Sequence, residues 1–107
     1  MTLDVIAERK LECRKAKGGR VPVVLRLGRP YRVGDGDWAC AVEATGLQQR
    51  FPDVHGVDSW QSLVLAQDLL RSLIQGVLER GDVFYWPDSG DEMPLEAIFG
   101  RGTLREP

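Results

Sequence analysis

From Val57 to Gly81 apolar side chains recur every three to four residues without a break, the spacing of an amphipathic helix. On a helical wheel Trp60, Leu63, Val64, Ala66, Leu69, Leu70, Leu73, Ile74, Val77 and Leu78 sweep roughly 200° of the surface, about twice the stripe needed by a helix resting on one sheet. Gln61, Asp68, Ser72, Gln75 and Glu79 fill the remainder, Leu65 falls outside the main arc, and Gln67 takes a partly solvated position at its edge. Asp58 or Ser59 can cap the first amides, while Arg80 and Gly81 suit a negative C-terminus and a left-handed exit. The surplus apolar arc must meet a second layer, a folded-back tail or another copy of the chain.

Ahead of the helix the period changes to two. Residues 3 to 15 place Leu3, Val5, Ala7, Leu11 and Cys13 on one face and Asp4, Glu8, Lys10, Glu12 and Arg14 on the other. Ile6 and Arg9 violate that alternation, which fits a strand with a bulge or an irregular beginning. Lys17, Gly18 and Gly19 form a turn into Val21, Val23, Leu25 and Leu27, so the pair reads as a hairpin, with Pro22 favouring an edge or a strand start. Pro30 and Gly34-Asp35-Gly36-Asp37 mark turns before a third strand in which Trp38, Cys40, Val42 and Ala44 share a face. Thr45 and Gly46 close it, and Leu47 to Val54 reads as a shorter fourth strand interrupted by Pro52. After the helix Val83 to Trp86 forms a short last strand, and beyond Pro87 only Leu95 to Phe99 is apolar enough to dock. The predicted fold is α+β: an antiparallel meander packed against one long amphipathic helix, with an irregular C-terminal tail. One domain covers residues 1–107, with an ordered core over about 3–99.

Composition narrows the class of protein more than its function. With 107 residues, 43% hydrophobic and 28% charged, the chain fits a soluble globular domain with one core. No apolar run approaches the ~20 residues of a membrane span, and Asp4, Glu8, Arg9 and Lys10 stand where a secretory segment would be apolar. The expected setting is the cytoplasm, away from membranes. Cys13 and Cys40 lack metal-ribbon or redox spacing and read as reduced structural thiols, a disulfide being possible only if the first and third strands are neighbours. Residues 1–33 hold nine Lys or Arg against three acids, whereas residues 34–107 hold five against thirteen. Nucleic acid is nevertheless a poor fit, because the basic residues mostly occupy outward strand positions or a turn and the pI is near 5.4.

The segment Gly56-Val57-Asp58-Ser59-Trp60-Gln61-Ser62-Leu63-Val64-Leu65-Ala66, preceded by Ile6-Ala7-Glu8-Arg9 and Gly36-Asp37-Trp38, resembles a family of small uncharacterised bacterial single-domain proteins. The resemblance covers most of residues 5–87 and implies no activity, cofactor or site. Its motifs are structural.

Candidate chemistry is sparse, and no cofactor is implied. His55 lies between Asp53 and Asp58, yet no serine or cysteine motif marks a nucleophile for it to serve, so no catalytic residue is assigned. Asp35 with Asp37, and Asp88 with Asp91 and Glu92, lack calcium-loop spacing and read as solvated turn acids, leaving no metal site. Tyr85 and Trp86, consecutive in a strand, must point to opposite faces, so one is expected to face outward or into an interface. The leading expectation is a non-enzymatic, homodimeric binding or protein-interaction module, with Leu69, Leu73, Val77, Tyr85 and Trp86 at the interface. The alternative is a ligand-binding protein or minor enzyme whose pocket, between helix and sheet, gathers Asp37, His55 and Asp88.

Overall fold

The computed structural model describes residues 4–47 and 51–100, so Leu3 and part of the expected fourth strand lie outside the described residues. Two antiparallel hairpins and their extensions carry one long helix. In chain order the elements are β1 (Val5–Arg14), β2 (Arg20–Gly28), β3 (Tyr31–Val33), β4 (Asp37–Cys40), β5 (Val42–Thr45), β6 (Val54–Gly56), α1 (Ser59–Glu79), β7 (Val83–Tyr85) and α2 (Leu95–Ile98). One sheet has the order β5-β2-β1-β7 and a second β3-β4-β6, with antiparallel pairing throughout. The α+β fold expected from the alternation is therefore the one adopted.

The expected bulge is present: the β1–β2 register slips between Val5 and Ala7, which leaves Ile6 as the extra, exposed residue. The third strand differs from expectation. It divides at Ala41, whose carbonyl accepts the Gly28 N–H at 2.8 Å, so that β4 serves one sheet and β5 the other. Ala39 and Cys40 are consequently buried in succession, which a single two-faced strand does not allow. The fourth strand is shorter than expected and begins only at Val54, after Pro52, whose missing N–H removes a ladder donor. A three-residue β3 pairs with β4 inside the stretch that reads as turns.

The core forms where the inner face of the four-stranded sheet meets α1. Leu11, Cys13, Val23, Leu25, Val42, Ala44 and Phe84 pack against Ala66, Leu70, Ile74 and Val77, and Met93 and Ile98 close the far side. The opposite sheet face is a charge ladder. Arg26 Nε donates to Glu8 at 2.8 Å and its Nη1 to Glu43 at 3.3 Å, while Arg14 Nε donates to Glu12 at 2.8 Å. Arg14, Arg20, Arg26 and Arg29 of the basic first third thus hold carboxylates.

Capping chemistry fixes the helix ends. Asp58 accepts the Gln61 N–H at 2.8 Å, the Gln61 side chain accepts the Val57 N–H at 2.8 Å, and the two bonds together pin the first turn. At the other end Arg80 is the C-cap and Gly81 turns left-handed at φ 99°. Asp82 then accepts the Ala16 N–H at 2.9 Å and ties the helix exit to the β1–β2 turn. That backbone bond, helped by Arg80, holds the Asp82 carboxyl below its ordinary 3.8. A carboxyl depressed by folding contributes stability above its unfolded value and loses it as the pH falls through the folded one. Asp82→Ala is expected to lower the melting temperature at pH 7, with the gap to the parent closing as the pH drops through 3.8 and below; a gap constant across that range would refute the role.

Cys13 and Cys40 are both free and fully buried, on strands separated by β2 and a sheet change. Burial is the main cause that raises both thiols above 9.0. In the folded protein neither should react with Ellman's reagent on a timescale of minutes, and both should react at once in denaturant. Rapid labelling of the native chain would contradict the packing.

Candidate functional site

The topology separates Asp88 from the other two residues suggested for a pocket. His55 lies opposite Ala39 on β6 and Asp37 begins β4, so these two occupy neighbouring strands of the small sheet. Asp88 sits on the turn beyond β7, at the opposite edge of the large sheet from β5, the continuation of β4. All three are exposed, and among the described residues no group of three or more His, Cys, Asp or Glu is placed to hold a metal ion. The acids beside His55 are engaged elsewhere: Asp53 accepts the Tyr31 hydroxyl, which raises that phenol, and Asp58 caps α1.

Of the interface candidates, Val77 is removed from the available surface, because it is buried within the chain's own core. Leu69 and Leu73 are half-buried against that core. Tyr85 and Trp86 do take opposite faces. Arg14 lies 3.8 Å over the Tyr85 ring on the charged face, while Trp86 packs against the core with Arg9 at 5.3 Å. Much of the surplus helix arc is covered by the chain itself: Ile98 is buried, Leu95 and Phe99 pack beside it, and Glu96 pairs with Arg71 of α1.

That covering stops short of the first half of α1. Trp60 is 80% exposed, Val57 69% and Val64 42%. Sequence periodicity placed Trp60 and Val64 in the buried arc, but the stripe that meets the sheets runs through Ser62, Ala66, Leu70, Ile74 and Val77. The stripe is narrow there because the Gly56 backbone presses against the first turn: a Cβ on Gly56 would lie 2.5 Å from the Ser62 amide nitrogen. With Ser62 on the contact face, Trp60, two residues earlier and about 200° around the helix, points outward. The signal that could have revealed this is the pair of small residues, Ser62 and Ala66, at the spacing of the contact face.

A cleft does lie between helix and sheet, away from His55. It is half open, has a volume of about 230 Å³ and is lined mainly by Arg9, Leu25, Leu27, Gln67, Leu70 and Phe99, with Glu8 and Gly100 also on its border. A more polar recess with Asp68, Arg71 and Glu96 adjoins it at Gln67 and Phe99. Among the described residues no helix is long and apolar enough to cross a membrane.

No curated protein and no solved structure matches the chain. A family model described as a domain of unknown function, DUF6968, matches residues 7–96, from the first strand through the helix to the docked tail. The chain belongs to the DUF6968 family.

Proposed function

We propose that the protein is a non-enzymatic association module of the cytoplasm that pairs with a second copy of itself through the exposed side of the first half of α1. The observation that carries this reading is the exposure of Trp60 and Val64, one turn apart on one side of a capped helix, with Val57 exposed just ahead of the N-cap. A surface Trp with a wet aliphatic side chain one helical turn away resembles the aromatic anchors around which protein interfaces are built. Covering it gains roughly 1.5–3 kcal/mol per large apolar side chain, and a helix face can meet its own copy across a two-fold axis. The interface proposed from the structure therefore moves from Leu69, Leu73 and Val77 to Trp60 and its neighbours. Support for a non-enzymatic role comes from the separation of Asp88 from Asp37 and His55, which share the small sheet. The charge ladder on the outer sheet face supports a protein partner over nucleic acid, since Arg14 and Arg26 already hold carboxylates. The two free, buried thiols support the reducing compartment.

Light scattering on Trp60→Glu tests the surface. Glu at an exposed helix position is expected to preserve the helical circular dichroism and to return the protein to a single-chain mass. Gln75→Glu, elsewhere on the exposed surface of α1, should leave the mass unchanged. Equal masses for the parent and Trp60→Glu would remove this face from the proposal.

A further inference from the structure

Arg9 puts a cation on the inner face of β1, between Ala7 and Leu11, where the alternation requires an apolar side chain. It pairs in register with Leu25 and lines the cleft between the sheet and α1. Its guanidinium stacks on Trp86, 5.3 Å from the ring centroid, and none of the ion pairs among the described residues includes it. Arg14, Arg20 and Arg26 each have a carboxylate on the outer face, and Lys10, which has none among the described residues, is exposed there, so Arg9 is the β1 cation on the inner face. Glu8 touches the cleft, but alternation sends its side chain through to the outer face, where Arg26 holds it. Of the acids in the adjoining recess, Glu96 is paired to Arg71, and Asp68 is exposed. A guanidinium lying over an indole at the side of an apolar cleft, and paired with no carboxylate among the described residues, is complementary to an anion that brings its own hydrocarbon.

We infer that this cleft binds a small carboxylate carrying a medium-length hydrocarbon chain or a single ring. The apolar part lies between Leu25, Leu27, Leu70, Ile98 and Phe99, and the carboxylate meets Arg9, with the Gln67 amide as a second donor. The volume suits this class: a dry cavity of about 150 Å³ holds benzene, and the ~230 Å³ here leaves space for a polar head beyond a ring-sized body. Removal of either half of such a ligand removes half of its recognition, since a tail without charge leaves Arg9 unpaired and a charge without a tail leaves the walls wet.

Titration calorimetry on the full chain with octanoate, 1-octanol and acetate tests the inference. Octanoate is expected to bind saturably at one site, and more tightly than either 1-octanol or acetate by roughly ten-fold or more, the preference expected of a charge-assisted hydrogen bond combined with a buried tail. Arg9→Gln should reduce octanoate to the level of 1-octanol, whereas Arg9→Lys should keep part of the preference, with circular dichroism confirming the fold of each. Octanoate binding no tighter than 1-octanol, or no saturable octanoate binding in the millimolar range or below, would overturn the inference on the unaltered protein, whatever the variants do.

Discussion

Phe84→Ala is expected to lower the unfolding free energy by about 3–5 kcal/mol, the usual cost of emptying a buried aromatic site. Phe84 is fully buried in the middle of the three-residue β7, opposite Cys13 of β1. Its carbonyl accepts the Met93 N–H at 2.8 Å, so the same residue also anchors the segment that leads to α2. Ala keeps that carbonyl, so the loss comes from the cavity left under the sheet beside Cys13. Domains of this size are stable by only about 5–15 kcal/mol in total, which makes the variant marginal at 37 °C. Urea unfolding followed by circular dichroism measures it, and a shift below about 1 kcal/mol would show that the strand packs less tightly than described.

Gly56→Ala is expected to destabilise by about 1–3 kcal/mol, although the change adds one methyl group to an ordinary backbone conformation. The added Cβ would stand 2.5 Å from the Ser62 nitrogen, 2.9 Å from its Cα and 3.0 Å from the Gln61 carbonyl carbon. These are main-chain atoms of a helix, so relief requires α1 itself to move. Such a movement disturbs the bonds of Asp58 and Gln61 that pin the first turn. The effect should appear as a lower denaturation midpoint with an unchanged slope. Full stability in Gly56→Ala would mean that β6 and α1 are not in direct backbone contact. Gln75→Ala, at an exposed position of the same helix outside the proposed pairing surface, serves as the control and should be close to neutral.

These two residues show what was legible in the sequence. Gly56-Val57-Asp58 reads as capping chemistry, and half of it is: Asp58 caps, as its side chain requires. The role of Gly56 depends on how closely β6 approaches the helix, a tertiary distance that no local pattern encodes. The helix, the β1–β2 hairpin, the bulge near Ile6 and the last strand were readable because each writes a period or a turn signal along the chain. The division at Ala41 was hidden, since Trp38, Cys40, Val42 and Ala44 keep their alternation across the change of sheet. β3 was hidden by its length, three residues between Pro30 and Gly34.

Of the candidate site residues, Tyr85 and Trp86 were legible as a pair divided between two faces, because consecutive strand residues must diverge. The width of the apolar arc of α1, more than one sheet face can cover, is legible in the periodicity; which part of it the tail covers is not. Leu95, Ile98 and Phe99 cover the middle of the helix, and the exposed remainder falls at Val57, Trp60 and Val64 rather than at Leu69, Leu73 and Val77. Periodicity gives the width of an apolar arc and leaves open which edge a docked tail will take. Arg9 was visible as a violation of the strand pattern, and only the fold shows that the violation lines a cleft.

Sedimentation equilibrium of the unaltered chain over a range of concentrations tests the proposed pairing most directly. The account predicts a mass of twice 12.0 kDa at high micromolar concentration, falling toward 12.0 kDa on dilution. A mass of 12.0 kDa throughout that range would contradict it and leave Trp60 as an exposed side chain without a second copy to cover it.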